Sequence, residues 1–141
     1  HRRSTRFNVH DLVFEARRVI RRLTPFELHA ALRNGFAPLV VDTRTEIDRE
    51  RFGVIPGSIH VPHTVLEWHL DPANGYLHPR VQSIDQPIVV VCNGGYSSSL
   101  AAANLVRLGF TAVADLIGGV GGWASSGLPL TAPDHAHLDF P

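Results

Sequence analysis

Short apolar runs alternate along the chain with segments whose apolar residues recur at helical spacing. The clearest runs cover residues 38–42 and 87–92, and both are rich in valine. Weaker runs cover residues 58–61 and 112–117. Continuous apolar runs of this length are typical of strands that are covered on both faces, as in a parallel sheet. Because these runs alternate with helical patterns, we predict an α/β domain with a mainly parallel sheet.

Helical spacing is clearest near the N-terminus. Apolar residues fall at 9, 12, 13, 16, 19 and 20 with arginines on the opposite face, which predicts an amphipathic helix over 9–20. Thr24, Pro25 and Glu27 have the order of a capping box with proline in the first turn, so a second helix is expected to run from there to about Gly35. Further helices are predicted at 45–52, 63–70 and 98–108.

The length of 141 residues accommodates one domain and not two sizeable cores. Hydrophobic residues make up 44% of the chain and charged residues 18%, which is ordinary for a folded protein. We predict a basic, amphipathic helical extension over residues 1–22, a folded domain over residues 23–131 and a polar C-terminal tail over residues 132–141.

The net charge of the chain bears on which classes of molecule it can bind. Thirteen basic and thirteen acidic residues cancel, so no net field attracts nucleic acid or an anionic membrane. Residues 1–22 nevertheless hold seven arginines and two acidic residues, a net charge of +5, which indicates either a solvated helix face or a docking patch for an acidic partner. No segment approaches the ~18 consecutive apolar residues of a membrane span. The single cysteine excludes an internal disulfide, and we expect a cytoplasmic protein.

The most informative segment joins the apolar run at 87–92 to the helix predicted at 98–108. Cys92 ends the run, where open α/β sheets bind ligands. Gly94 and Gly95 allow the backbone to turn its N–H groups inward, and the following helix adds free N–H donors and its dipole. Such a loop stabilises a thiolate. On this pattern alone, Cys92 is either a reactive thiol or a small buried hydrophobe at a strand end.

This loop resembles the active-site loop of the rhodanese family, in which a cysteine and five further residues form a semicircle of inward-pointing amides. Residues 41–44 (Val-Asp-Thr-Arg) and 53–58 (Gly-Val-Ile-Pro-Gly-Ser) are similar to the family's Asp-x-Arg and Gly-His-Ile-Pro-Gly-Ala motifs, with Val54 in place of the histidine. Residues 116–123 and 127–129 resemble the closing Gly-Gly-x-x-x-Trp and Gly-x-Pro block. The ordered agreement extends over roughly residues 24–130.

The resemblance implies a rhodanese-like α/β fold, with a mainly parallel five-stranded sheet and helices on both faces. It implies a sulfurtransferase cycle in which the Cys92 thiolate takes a sulfane sulfur from a donor and becomes a persulfide. The outer sulfur then passes to a thiophilic acceptor, which is cyanide, a thiol or a protein thiol, and no cofactor is needed. The substrate-binding residues implied are Asn93, Gly94, Gly95, Tyr96, Ser97 and Ser98, with the Ser97, Ser98 and Ser99 hydroxyls as additional donors and with Asp42 and Arg44 supporting the site as an ion pair.

The loop departs from the family pattern in its charge. Many active rhodaneses carry basic residues after the cysteine and near the end of the loop, where this chain has Asn93 and Ser97. Without a guanidinium, the loop lacks a bidentate partner for an oxyanion. We therefore expect weak thiosulfate activity, with a persulfide or polysulfide as the better donor. The sixth residue after Cys92 is Ser98, whereas cysteine-dependent phosphatases need an arginine there to bind the phosphoryl group.

Other residues of the chain suggest two alternatives to sulfur transfer. His60, His63 and His69 lie close together in the sequence, but their spacing matches no recognised ligand motif, so no metal site is expected. The other alternative is a non-catalytic rhodanese-like module that senses sulfur or docks a protein. The uncharged loop and the basic N-terminal segment leave that alternative open.

Overall fold

The computed structural model describes residues 6–134, so Arg2, Arg3 and most of the tail predicted at 132–141 lie outside the described residues. The elements in chain order are α1 (Val9–Arg17), β1 (Arg21–Leu23), α2 (Pro25–Leu32), β2 (Leu39–Asp42), α3 (Glu46–Phe52), β3 (Ile59–His60), a 3₁₀ turn (His63–Val65), α4 (Leu66–Leu70), β4 (Ile88–Val91), α5 (Ser97–Arg107), β5 (Val113–Leu116) and α6 (Gly119–Ser125).

The strands of the described residues form one parallel sheet in the order β1-β5-β4-β2-β3. Every residue of β2, β4 and β5 is buried, because helices cover both faces of the sheet. The α/β class and the five-stranded parallel sheet are therefore confirmed. The central position of β4 brings its carboxyl end between those of β2 and β5.

Two hydrophobic cores lie on the two faces of the sheet. One lies between the sheet and helices α4 and α5, and the other lies between the sheet and helices α2 and α6. Val41 and Val90 belong to the first core, and their neighbours Val40 and Val89 belong to the second, which is the alternation expected along a strand. Helix α1 packs on α5.

The N-terminal region differs from the sequence prediction. The helix predicted over 9–20 ends at Arg17, and residues 21–23 form an edge strand that pairs with β5. The sequence Arg-Arg-Leu has no apolar run, so its strand conformation depends on pairing with a neighbour that is remote in sequence. The boundary predicted between residues 22 and 23 falls inside this strand.

The local signal for the start of α2 is confirmed, although the helix ends at Leu32, before the predicted Gly35. The capping box of α2 is present, since Thr24 Oγ1 accepts from the Glu27 N–H at 3.1 Å and Glu27 Oε1 accepts from the Thr24 N–H at 2.8 Å. This pair satisfies two amides that the helix itself leaves free.

Among residues 6–134, no helix combines the length and the apolar character that crossing a membrane requires.

Candidate active site

Cys92 lies directly after β4, and the loop that follows it leads into α5. The side chain is 6% exposed. The Gly95 and Ser98 N–H groups donate to Cys92 Sγ at 3.2 and 3.4 Å. Ser98 is the second residue of α5, so one of these donors is a free amide of the helix N-terminus, where the dipole favours negative charge. The geometry fits a thiolate or a persulfide anion at Sγ.

The surroundings of Cys92 also change its acidity. Burial raises the pKa of the thiol, but hydrogen bonds from the Ser98 and Ser97 hydroxyls and from the Ser98 and Gly95 amides outweigh it, so the pKa is lowered from the ordinary cysteine value. Hydrogen bonds to the charged form are the cause, because a thiolate accepts them more strongly than a thiol does. A lowered pKa increases the fraction of the nucleophilic form at neutral pH.

The Ser98 hydroxyl has two acceptors within reach, Cys92 Sγ and the Asp115 carboxylate. Its Oγ donates to Asp115 Oδ2 at 2.9 Å, and the Ser99 Oγ donates to the same oxygen at 2.7 Å. A hydroxyl has one proton, so the Ser98 hydroxyl is shared between Cys92 Sγ and the buried Asp115 carboxylate, which is a charge-assisted acceptor. The expectation that the Ser98 and Ser99 hydroxyls donate to a persulfide stays a prediction. The amides and the Ser97 hydroxyl remain available to Sγ.

Glycines allow the loop to fit closely against β5 and α6. Gly95 has a φ of +86°, and a Cβ there would lie 2.7 Å from Gly118 N, which is closer than real Cβ contacts. A Cβ at Gly119 would lie 2.5 Å from Cys92 O. The N–H of Val120, in the first turn of α6, donates to that same carbonyl at 2.8 Å. The glycine-rich motif at 116–123 thus places a helix start against the backbone of the cysteine loop.

The loop borders an open cleft of about 410 Å³. The residues that line it are Thr43, Arg44, Thr45, Asp48, His63, Cys92, Asn93, Gly94, Tyr96 and Ser97. The Asn93 Nδ2 donates to Asp48 Oδ2 at 2.7 Å, so the side-chain amide of Asn93 is engaged with a carboxylate. Sequence reasoning missed Asp48 and did not assign His63 to this site, because both lie on segments remote from Cys92.

Asp42 and Arg44 lie beside the loop and form an ion pair. The Arg44 Nη2 is 2.8 Å from Asp42 Oδ2 and also donates to the Gly53 carbonyl at 2.8 Å. The Arg49 Nε approaches the same carboxylate at 3.4 Å. This cluster connects the end of β2 with both ends of α3, and Arg44 itself lines the cleft.

A second buried cluster lies on the other side of β4. The Arg22 Nε is 2.8 Å from Asp115 Oδ1, and Asp115 is fully buried within β5. Arg17 Nη2 and Arg22 Nη2 donate to the Gly95 carbonyl at 2.8 and 2.9 Å. Sequence reasoning did not identify these three residues as part of the site. The available signal was a charged residue, Asp115, inside an otherwise apolar strand.

The histidines of the metal alternative are dispersed. Within residues 6–134, no three His, Cys, Asp or Glu side chains form a group that would hold a metal ion. His60 Nε2 is 2.7 Å from the Arg44 carbonyl, and His69 Nδ1 is 2.7 Å from the Tyr76 carbonyl. His63 is exposed at the cleft.

Comparisons with known proteins agree with this architecture. The family model of the rhodanese-like domain matches residues 24–126. A sulfurtransferase from Allochromatium vinosum is 34% identical over 96 residues, which cover 68% of this chain and 80% of the relative. The thiosulfate sulfurtransferase GlpE of Stutzerimonas stutzeri is 36% identical over 105 residues, which cover 73% of this chain and 84% of the relative.

A solved structure from Rhodopseudomonas palustris CGA009 is 33% identical, with a TM-score of 0.82. The alignment covers 93% of this chain and 98% of that one. That protein is described as one of unknown function and a possible tyrosine phosphatase. The similarity extends beyond the sheet to nearly the whole chain.

Proposed function

Since the chain belongs to the rhodanese-like domain family, we propose that it is a sulfurtransferase that carries sulfane sulfur as a persulfide on Cys92. The observation that carries the proposal is the pair of amides, from Gly95 and Ser98, that donate to Sγ at the start of α5. The same donors serve a thiolate before transfer and a persulfide anion after it.

The proposed cycle has two displacements and no net oxidation. The Cys92 thiolate attacks the terminal sulfur of a donor R–S–SH, the S–S bond of the donor breaks, and R–S⁻ leaves with the electron pair. Cys92 is then Cys–S–SH. An acceptor thiolate or cyanide attacks the outer sulfur, the bond from Sγ to that sulfur breaks, and the Cys92 thiolate is regenerated.

The charges of the cleft favour a persulfide or polysulfide donor over thiosulfate. Thiosulfate is a dianion, and the loop from Cys92 to Ser98 has no basic side chain. Asp48 places a carboxylate on the wall of the cleft, and the guanidinium of Arg44 is paired with Asp42. A dianion in this cleft thus meets an acidic group without a free guanidinium in the loop to bind it.

A phosphatase function has less support, although a structurally similar protein is described as a possible tyrosine phosphatase. Phosphoryl transfer needs a cation on the equatorial oxygens. Ser98 occupies the position of that arginine, while Arg17 and Arg22 bind the Gly95 carbonyl and do not line the cleft. We therefore do not propose phosphatase activity.

The test is intact-mass measurement after incubation with polysulfide. The wild-type chain is expected to gain the mass of one sulfur atom, and Cys92→Ala is expected to gain none. Addition of a thiol or of cyanide should remove the added mass, and steady-state assays should give a higher kcat/KM with polysulfide than with thiosulfate.

Each negative result has its own meaning. No mass gain in the wild-type chain contradicts the carrier role of Cys92. Sulfur loading without onward transfer to any acceptor favours the sensing or docking module over the enzyme. A thiosulfate kcat/KM that equals the polysulfide value contradicts the donor preference alone.

A further inference from the structure

The cysteine loop has cations on the side that faces away from the cleft. Arg17 in α1 and Arg22 in β1 both donate to the carbonyl oxygen of Gly95, at 2.8 and 2.9 Å. Gly95 is also the residue whose N–H donates to Cys92 Sγ. Two guanidiniums therefore converge on the same residue that holds the sulfur.

Each arginine is itself fixed. The Arg22 guanidinium binds both carboxylate oxygens of Asp115, at 2.8 and 3.4 Å. The Arg17 Nε donates to Ser99 Oγ at 3.0 Å, and its guanidinium lies over the Tyr96 ring, 5.2 Å from the ring centroid. The contacts connect α1, β1, β5 and the first turn of α5 in one network, so the position of the Gly95 carbonyl is defined from several elements.

Because a peptide unit is rigid, fixing the Gly95 carbonyl also fixes the orientation of the whole Gly95–Tyr96 peptide. In a trans peptide the C=O and N–H groups point in opposite directions, and the unit is planar. The two arginines fix the Gly95 carbonyl, so the N–H of Tyr96 in the same peptide is directed away from them. Cations on a carbonyl also polarise the peptide and strengthen its N–H as a donor.

We propose that Arg17 and Arg22 are positioning residues that fix the Gly95–Tyr96 peptide and supply, from behind the loop, the positive charge that its own side chains lack. The proposal rests on the proposed role of Cys92 as a sulfur carrier. Neither arginine touches the sulfur. They act through the backbone of the loop, because the Gly95 Cα joins the peptide that they fix to the preceding peptide, whose N–H donates to Sγ.

Charged and titratable groups face the loop from every element around it: Arg17 on α1, Arg22 on β1, Asp115 on β5, and Arg44, Asp48 and His63 across the cleft. Arg22 is neutralised by Asp115 at 2.8 Å. In the described part of the chain, Arg17 has no carboxylate within ion-pair distance. Substitution of Arg17 therefore removes a charge that no carboxylate neutralises, whereas substitution of Arg22 also leaves Asp115 without its partner. For this reason Arg17 is the better residue for the test.

The experiment compares Arg17→Gln with Arg18→Gln in the full chain. Both variants remove one positive charge, at the last residue of α1 and at its C-cap, but Arg18 is exposed, and within residues 6–134 no hydrogen bond or ion pair joins its side chain to the loop. The rate of Cys92 alkylation by iodoacetamide is measured against pH, and the rate of sulfur loading from polysulfide is measured by mass. Arg17→Gln is expected to move the alkylation midpoint to higher pH and to slow loading about tenfold.

Arg18→Gln is expected to match the wild-type chain in both measurements. Arg17→Lys keeps the charge but loses the planar fork, so its loading rate should lie between those of the wild-type chain and Arg17→Gln. Circular dichroism checks that each variant is folded, and if Arg17→Gln is not, the lysine variant decides the question.

The proposal is overturned if Arg17→Gln and Arg18→Gln have the same alkylation midpoint and the same loading rate. If the wild-type chain loads no sulfur, the proposed function fails, but the alkylation profiles still test the positioning role of Arg17. The two failures are therefore distinguishable.

Discussion

Two buried aspartates lie on either side of the strand that ends at Cys92. Asp42, at the end of β2, is paired in register with Val91, and Asp115, in β5, is paired with Val90. Both carboxylates are fully buried. They occupy nearly equivalent places on the two neighbours of β4, but they are neutralised in different ways.

Asp42 is surrounded by Arg44 and Arg49, whose side chains are each 1% exposed. These bonds connect β2 with helix α3 and with the Gly53 carbonyl, and none of them reaches the cysteine loop. Asp115 is bound by Arg22, which is 22% exposed, and by two serine hydroxyls from the first turn of α5. We therefore expect the first cluster to stabilise the fold beside the site, whereas the second is connected to the loop that contains Cys92.

The largest effect on stability is expected from Asp42→Asn. This change leaves the buried guanidiniums of Arg44 and Arg49 without a counter-charge. Such a loss typically lowers the free energy of unfolding by about 3–5 kcal/mol. Urea unfolding measures the loss, with Asp85→Asn as the control, because Asp85 is exposed and its replacement should cost under about 0.5 kcal/mol. A similar midpoint for Asp42→Asn and Asp85→Asn would show that the Asp42 cluster does not stabilise the fold.

Asp115→Asn is expected to cost less stability but more activity. The free energy of unfolding should fall by about 1–3 kcal/mol, because Arg22 retains contact with water when its partner is lost. The rate of sulfur loading should fall about tenfold, since the first turn of α5 and Arg22 are both released from the carboxylate. Loading is measured per folded molecule for both aspartate variants. If sulfur loading is slower in Asp42→Asn than in Asp115→Asn, then Asp42, and not Asp115, is the aspartate that supports activity.

The smallest effect is expected at the cleft, from Asp48→Asn. The change removes a partly exposed carboxylate from the cleft wall and keeps an oxygen that can accept from Asn93. Partly exposed charges contribute about 1 kcal/mol or less, so kcat/KM for thiosulfate should rise about two- to fivefold, with a smaller change for a singly charged organic persulfide. Glu50→Gln is the control, because Glu50 lies on the same helix and does not line the cleft. An unchanged thiosulfate value for Asp48→Asn would contradict a role of this carboxylate in donor choice.

Sequence reasoning located the central features because their signals are local. The apolar runs predicted β2 and β4, and the cysteine followed by glycines predicted the loop that places amides on Sγ. Helix α6 was not predicted, since its glycines have low helix propensity. It forms where the amides of Val120 and Gly121 donate to the carbonyls of the cysteine loop.

The back of the site could not be predicted because its contacts are remote in sequence. Arg17 and Arg22 are separated by 78 and 73 residues from the Gly95 carbonyl that they bind. A run of arginines on an N-terminal helix gives the same pattern whether its side chains face solvent or a loop. In a single sequence, only Asp115, a charge within an apolar strand, indicated that a buried cation lies nearby.

The family match begins at residue 24, just after the strand that contains Arg22. Both arginines behind the loop therefore lie outside the residues that the family model matches. If the two arginines have the positioning role that we propose, substitutions in that upstream segment change the reactivity of the thiol while the cysteine loop keeps its sequence. Under that proposal, the loop sequence alone does not determine the reactivity of Cys92, and the N-terminal segment is a second determinant.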